Sequence, residues 1–309
     1  MTKIVISACT YKRPDGLKTL LVSLKDIKIP DDVELSIRII DNEPTPEAKG
    51  IIDDFASNMP CALHYAHEKE GGIAPARNRA LSEAKQDDFL VFVDDDETVA
   101  RDWLEELWDS QKRNQAQFVQ GPVTLTVEDP QDEWWVHTIL FRQKTYPDNT
   151  PRHESWTNNV LIDMDFVRKN NMKFDPALKY DGGSDTLFFQ EMTAKGAKGV
   201  FAAKAVVFEE QPKNRLTWKW TIKRQFRYGN TRAMVARKTK TTSKALLDSL
   251  MRAGGCGVFG LIHLPTAIIK GRAGIANSIA YFARGTGILY GLLGKRYLEY
   301  QRNNEKAKA

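Results

Sequence analysis

The 309-residue chain has only three cysteines, Cys9, Cys61 and Cys256, set far apart and forming no C-x-x-C pair. A disulfide framework and a zinc-ribbon site are thereby excluded, and a reducing compartment is expected. The five histidines, His64, His67, His137, His153 and His263, show no metal-ligand spacing. A first strand expected from Lys3 leaves no room for a secretory leader, so the expected location is the cytoplasm or the cytoplasmic face of the inner membrane. Long apolar runs are missing too. Residues 253–269 carry no Asp, Glu, Lys or Arg, but they contain Gly254, Gly255, Gly257, Gly260, His263 and Pro265. That is short and broken for a transmembrane helix, and a re-entrant or interfacial segment is expected instead.

What remains is ordinary globular composition, with 42% apolar and 28% charged residues. At this length one large α/β domain, or one domain with an appendage, is expected. Charge is unevenly spread. Residues 213–309 hold 20 basic and three acidic residues (Asp248, Glu299 and Glu305), whereas residues 1–212 hold 25 basic and 37 acidic ones. Basic tails of this kind face phosphate, in nucleic acid or in anionic lipid. The chain is divided accordingly into an acidic domain, 1–212, and a basic helical region, 213–309.

The first half alternates strands and helices. Strands are expected at 4–7, 34–40, 63–66 and 88–93. Helices are expected at 16–25, capped by Asp15 and carrying Leu17, Leu20, Leu21 and Leu24 at helical spacing, at 47–58, and from the Glu70-Gly71-Gly72 turn through Leu81. The order predicts a parallel sheet with helices on both faces. Polar clusters follow three of the strands: Thr10 to Arg13, Asp41-Asn42, and Asp94-Asp95-Asp96. In open parallel sheets ligands bind beyond the carboxyl ends of the strands, so the three clusters point to one site. Three adjacent carboxylates repel one another and call for a counter-charge. Mn²⁺ or Mg²⁺ would supply it while leaving positions open for substrate phosphates. The alternative is a solvated acidic turn that caps the helix expected at 103–111.

These residues carry a family resemblance. Ser7 to Pro14, Ile39 to Asn42, Gly71 to Ala80, Val93 to Asp96, Thr157-Asn158-Asn159, Gly182 to Thr186 and the stretch from Arg215 to Gly229 together resemble the family 2 glycosyltransferases. Within that family the chain looks most like bacterial exopolysaccharide enzymes, including those that assemble succinoglycan. The resemblance implies a GT-A fold, a Rossmann-like mixed sheet flanked by helices, and inverting transfer from a UDP-sugar. It implies that Asp41 accepts the uracil imide hydrogen, and that Thr10, Lys12 and Arg13 line the nucleotide. Gly72, Arg77 and Asn78 would lie near nucleotide and sugar. The acidic triplet matches the family's D-x-D, with Asp94 and Asp95 toward the nucleotide and Asp94 and Asp96 on the metal. Asp185 is the implied catalytic base, although the family's usual Glu-Asp is Ser184-Asp185 here, which puts acceptor contacts in doubt. Read without the family, Asp185 could equally cap the helix expected at 186–195. Asn158, Asn159, Ser184 and Glu210 are candidate acceptor contacts. The Gln-x-x-Arg-Trp motif of processive synthases is absent, so one sugar would be added per encounter.

Trp134-Trp135 could stack on a sugar or belong to a core, and residues 142–156 are expected to form a loop over the site. Residues 217–238 interleave Trp218, Trp220, Phe226 and Tyr228 with Lys and Arg, which suits a membrane interface. Residues 240–300 are expected as helices lying on the cytoplasmic leaflet, where a lipid-linked glycan acceptor would be met. A helical cap folded against the domain is the alternative. Two other classes compete. A sugar nucleotidyltransferase would want a Gly-rich loop after the first strand, and 10–15 has none. A nucleic-acid-binding protein would use the basic tail, against which the acidic first 212 residues argue.

Overall fold

A computed structural model describes residues 1–141, 145–179 and 183–297. Its first half follows the expected alternation: β1 (Thr2–Thr10), α1 (Pro14–Lys25), β2 (Val33–Asp41), α2 (Lys49–Ala56), β3 (Ala62–His67), α3 (Ile73–Glu83) and β4 (Phe89–Val93). Then come β5 (Glu97–Val99), α4 (Trp103–Asn114), β6 (Phe118–Gln120), β7 (Val123–Thr126), β8 (Pro151–Arg152), β9 (Asn159–Asp163), α5 (Met164–Lys169), α6 (Ser184–Ala194), β10 (Gly199–Phe201) and β11 (Val207–Glu210). Four helices close the described chain: α7 (Trp218–Thr239), α8 (Thr242–His263), α9 (Ala267–Lys270) and α10 (Arg272–Leu292).

An eight-stranded sheet runs β3-β2-β1-β4-β9-β6-β10-β8. Strands β3, β2, β1 and β4 are parallel, and β9 is antiparallel to both β4 and β6. The sheet is therefore mixed, of GT-A type. Ile4 and Ile6 of β1 enter one core with the leucines of α1, while Val5 enters the other with Ala74, Ala76 and Ala80 of α3. Burial on both faces explains why these strands read as unbroken apolar runs. The leucines of α1 have no exposed surface, and each contributes about 2 kcal/mol of burial. Asp15 does not cap this helix: Arg13 occupies that position, and Asp15 lies in the first turn, favourably placed against the helix dipole.

Chain order reverses between β1 and β4, because β1 connects outward to β2 whereas β4 lies on its other side. The carboxyl ends of these two strands thus form the switch point where a ligand crevice opens. A second sheet, β5-β11-β7, stands beside that point. Asn159 locks the junction. It is fully buried; its amide donates to the carbonyls of Pro122 and Ala205, both at 2.8 Å, and its oxygen accepts from the Trp103 indole at 2.8 Å. Asn159 is consequently a structural residue and not the acceptor contact expected of it.

The basic C-terminal stretch is helical, and α7 and α8 both pack on α10. A methyl group at Gly229 or Gly287 would overlap the backbone of Arg284 or Phe226, so glycine permits the close α7–α10 crossing. Trp134 and Trp135 stack at 4.1 Å and join Phe141, Leu216, Trp218, Trp220 and Ala276 in one apolar cluster. That cluster docks the C-terminal helices on the domain and answers the question about the tryptophan pair in favour of core. The segment expected to be broken is instead a continuous helix through its four glycines, ending before Pro265. By length and composition α8 is apolar enough to cross a membrane. Packing against α10 offsets the glycine cost of about 1 kcal/mol each. The loop expected at 142–156 contains the short strand β8, and residues 142–144 lie outside the described residues.

Asn159→Ala should cost about 3 kcal/mol in urea unfolding, because it orphans the Trp103 N–H and the Ala205 carbonyl and leaves the Pro122 carbonyl with the Val207 N–H alone. A change below about 1 kcal/mol would deny Asn159 this bracing role.

Candidate active site

Thr10 ends β1 directly opposite Asp41 on β2, and Asp94 follows the end of β4, so the topology brings the three expected clusters together. Asp41 is fully buried. Its oxygens accept from the backbone N–H groups of Glu43 (2.9 Å) and Ala48 (3.0 Å) and from the Tyr65 hydroxyl (3.0 Å). Asn42 clamps the next loop, donating to the carbonyls of Glu68 and Glu70 and accepting from Gly72 N–H. Lys12 has φ of 56°, strained for a side-chain-bearing residue, and its N–H donates to Glu43 at 2.7 Å. Gly72, with φ of 121°, caps α3 against Lys179, where a Cβ would strike backbone oxygen at 2.8 Å.

At the centre lies a dense acidic cluster. Arg13 bridges Asp95 (2.8 Å) and Asp96 (2.9 Å). Arg215, just ahead of α7, bridges Asp96 (3.1 Å) and Glu209 (3.0 Å). Glu97 is buried and accepts from Asp94 N–H at 2.9 Å. Glu97 and Glu209 sit directly opposite each other in the β5–β11 ladder, a like-charge pairing that is unfavourable on its own. Burial, followed by Asp96, pushes the Asp94 carboxyl up to about 7. Burial, then Asp94 and Glu209, pushes Glu97 well above the usual carboxylate range, and burial then Asp96 raises Glu209.

Five carboxylates, Asp94, Asp95, Asp96, Glu97 and Glu209, therefore face Arg13 and Arg215, with Arg77 acting on Asp94 from farther off. Asp95 Oδ2 and Glu97 Oε1 are buried without a hydrogen-bond partner. This surplus of negative charge fits a divalent cation. Among the described residues, however, no group of three His, Cys, Asp or Glu side chains is arranged to hold one unaided. The fit is to an ion of Mg²⁺ type that takes one or two carboxylates and completes its shell with phosphate and water.

Asp185 lies across the crevice. Helix α6 starts at Ser184 with Gly183 (φ 86°) as its N-cap, so Asp185 sits inside the first turn, where its Oδ1 accepts from the Thr186 N–H at 2.7 Å. Arg77 donates to the Ser184 hydroxyl at 2.9 Å and approaches the Asp185 carboxylate at 3.9 Å. One guanidinium thus stands between the acidic cluster and the expected base. Gly182 lies outside the described residues.

Several expectations need correction. Ser184 is fully buried and holds Arg77, so it is no acceptor contact. Asn78 spends both ends of its amide on the Phe174 backbone, each at 2.8 Å, and braces that segment instead of reaching a nucleotide. Glu210 points to solvent; period-two alternation along β11 turns Glu209 inward with Val207. Asn158, beside buried Asn159, is half-exposed. Glu97, Glu209, Arg215 and Glu43 were missed. The alternation of β11 was legible and could have singled out Glu209, whereas no local signal tied Arg215 to Asp96, 119 residues away.

Residues 5–172 match the family described as glycosyl transferase family 2. The chain is 31% identical over 301 residues to the succinoglycan biosynthesis protein ExoM of Rhizobium meliloti (strain 1021), covering 96% of this chain and 94% of that protein. Among solved structures it resembles the mannosyltransferase PcManGT from Pyrobaculum calidifontis in complex with GDP-Man and Mn²⁺ (17% identity, TM-score 0.63, 95% of this chain and 88% of that one). It also resembles S. aureus TarS 1–349 in complex with UDP (16% identity, TM-score 0.53, 98% of both). At these identities the structural likeness speaks for the fold.

The raised Asp94 pKa has a sign. The folded chain holds this proton more tightly than the unfolded one. The resulting stabilisation is full below about pH 4 and is lost as pH rises toward about 7. Thermal melts without divalent ions should therefore fall in Tm between pH 5 and pH 8, and Asp94→Asn should flatten the slope. Parallel slopes for the two proteins would show that Asp94 is not the group responsible.

Proposed function

Because the chain belongs to glycosyl transferase family 2, we propose that it moves one sugar from a UDP-sugar, with inversion and with Mn²⁺ or Mg²⁺, to a lipid-linked glycan of a surface polysaccharide. The observation that carries this is the buried acidic cluster, short of positive charge, at the β1/β4 switch point with Asp185 facing it across Arg77. A diphosphate with its cation matches that deficit in charge and place. The relatives agree in kind: one acts in succinoglycan biosynthesis, and the solved neighbours hold UDP, or GDP-Man with Mn²⁺.

In this mechanism Asp94 and Asp96 would hold the metal ion, which would supply Lewis-acid stabilisation of the charge on the diphosphate. Thr10, Lys12 and Arg13 line the nucleotide, Lys12 being set by Glu43. Asp41 takes the uracil imide hydrogen on the acceptor capacity that its three internal donors leave. Gly72 shapes the loop beside it. Asp95 anchors Arg13, so its part in donor binding is to position that cation. Arg77 orients Asp185. As the acceptor oxygen attacks the anomeric carbon, Asp185 takes the hydroxyl proton and the sugar–phosphate bond breaks on the opposite face. Asn158 remains a candidate contact to the acceptor.

The C-terminal helices supply the membrane side. Leu247, Met251, Val258, Phe259, Leu261 and Ile262 of α8 are each more than half exposed, and Ile268 and Ile269 of α9 are 89% and 88% exposed. Lys270 and Arg272 adjoin them. An apolar face bordered by cations suits anionic headgroups and acyl chains, which supports a peripheral position on the cytoplasmic leaflet.

Asp185→Asn should lower transfer at least about a hundredfold while calorimetry shows UDP and Mn²⁺ binding retained; Asp96→Ala should instead weaken Mn²⁺-dependent UDP binding. Full turnover by the first variant would remove Asp185 from the role of base. On the membrane side, Ile268→Asp combined with Ile269→Asp should release the protein from phosphatidylglycerol vesicles in flotation without changing its Tm. Unchanged flotation would argue against attachment through α9.

A further inference from the structure

A second set of cations lies away from the acidic cluster. Helices α7 and α8 both pack on α10 and much less on each other. Arg284 of α10 lies between them, beside Gln225 of α7 and Cys256 of α8. Its Nε donates to Gln225 of α7 at 2.7 Å, and its guanidinium lies 6.0 Å from the Tyr281 ring. Gln225 has no exposed surface, and its Nε2 is buried without a partner. The charged and titratable groups around Arg284 are Cys256 of α8, Tyr281 of α10, and Tyr228 and Arg232 of α7. Burial and Arg232 work against its charge. No carboxylate forms an ion pair with Arg284 among the described residues. Asp248 of α8 is already matched by Arg252 and Lys240, and Glu154 lies 4.0 Å from Arg232 on the side toward α6.

A half-buried guanidinium held at one nitrogen and lacking an anion is costly unless something supplies the charge. Two further facts identify what fits. Phe259 of α8, half exposed, stacks at 5.4 Å on the Tyr281 ring that lies beside the Arg284 guanidinium, so one molecule can meet cation and exposed apolar surface together. This region is also near the expected base, since Thr231 of α7, next to Arg232, packs against Gly183 at the start of α6. The fitting ligand has an anionic phosphate head and a long apolar tail.

We propose that Arg284, oriented by Gln225 and assisted by Arg232, seats the phosphate or diphosphate of a lipid-linked acceptor, whose hydrocarbon chain continues along α8. This rests on the glycosyl-transfer reading for the identity of the ligand, but its residues are separate from those that bind the donor. Farnesyl diphosphate in detergent micelles is a suitable probe, with farnesol, inorganic pyrophosphate and phosphatidylglycerol vesicles alongside, tested on the full chain. The wild type should bind farnesyl diphosphate well above farnesol and pyrophosphate. Arg284→Gln should weaken that binding about tenfold while leaving UDP and Mn²⁺ binding and vesicle flotation as they were. Arg284→Lys should recover part of it. Equal affinity of wild type and Arg284→Gln for farnesyl diphosphate would overturn the proposal, as would an equal loss on phosphatidylglycerol vesicles, which would mark a general headgroup contact. If Arg284→Gln fails to fold, Arg232→Gln on the exposed rim must show the same selective loss, and its absence overturns the proposal. Failure of the wild type to bind UDP would strike the donor reading alone, because lipid binding is measured without donor.

Discussion

The arrangement depends on one electrostatic problem: more carboxylates are gathered at the end of β4 than nearby cations can neutralise. Arg13 and Arg215 tie Asp95, Asp96 and Glu209 together, and Asp94 and Glu97 are left to hold protons more tightly than usual. Burial makes the excess matter, since the same acids in water would be screened. A divalent cation of the kind proposed for the donor site would offset that excess.

That cluster also joins the two charge regimes of the chain. Arg215 belongs to the basic C-terminal stretch yet bridges two acids of the acidic domain, and helix α7 follows it directly. The expected division at 212/213 therefore separates compositions but runs through the site. The same helix lies against Gly183 beside Asp185 and packs on α10, so the acidic cluster, the start of α6 and the C-terminal helices are held by one continuous element.

Apolar surface is used in two ways in the C-terminal region. The tryptophan cluster around Trp135 and the glycine-lined crossing of α7 on α10 fasten one face to the domain. The opposite face, from Leu246 to Ile269, stays exposed to an extent that a water-soluble surface seldom carries. The cap and membrane-interface alternatives are thus compatible, because they concern different faces of the same helices.

Much of this was legible in the residues. The β-α alternation, the four leucines of α1, the polar strand ends and the acidic triplet follow from periodicity and from the rule that ligands gather at strand ends. What tertiary structure alone decided was which polar side chains are spent internally. Asn78, Asn159 and Ser184 look like site residues by type and position, yet each is held by backbone, by Trp103 or by Arg77. Glu209 and Arg215 enter the site through sheet register and a contact spanning more than a hundred residues. A sequence shows which groups can form hydrogen bonds, but the choice of partner is made by folding, which brings distant segments together and leaves no buried polar group idle without cost.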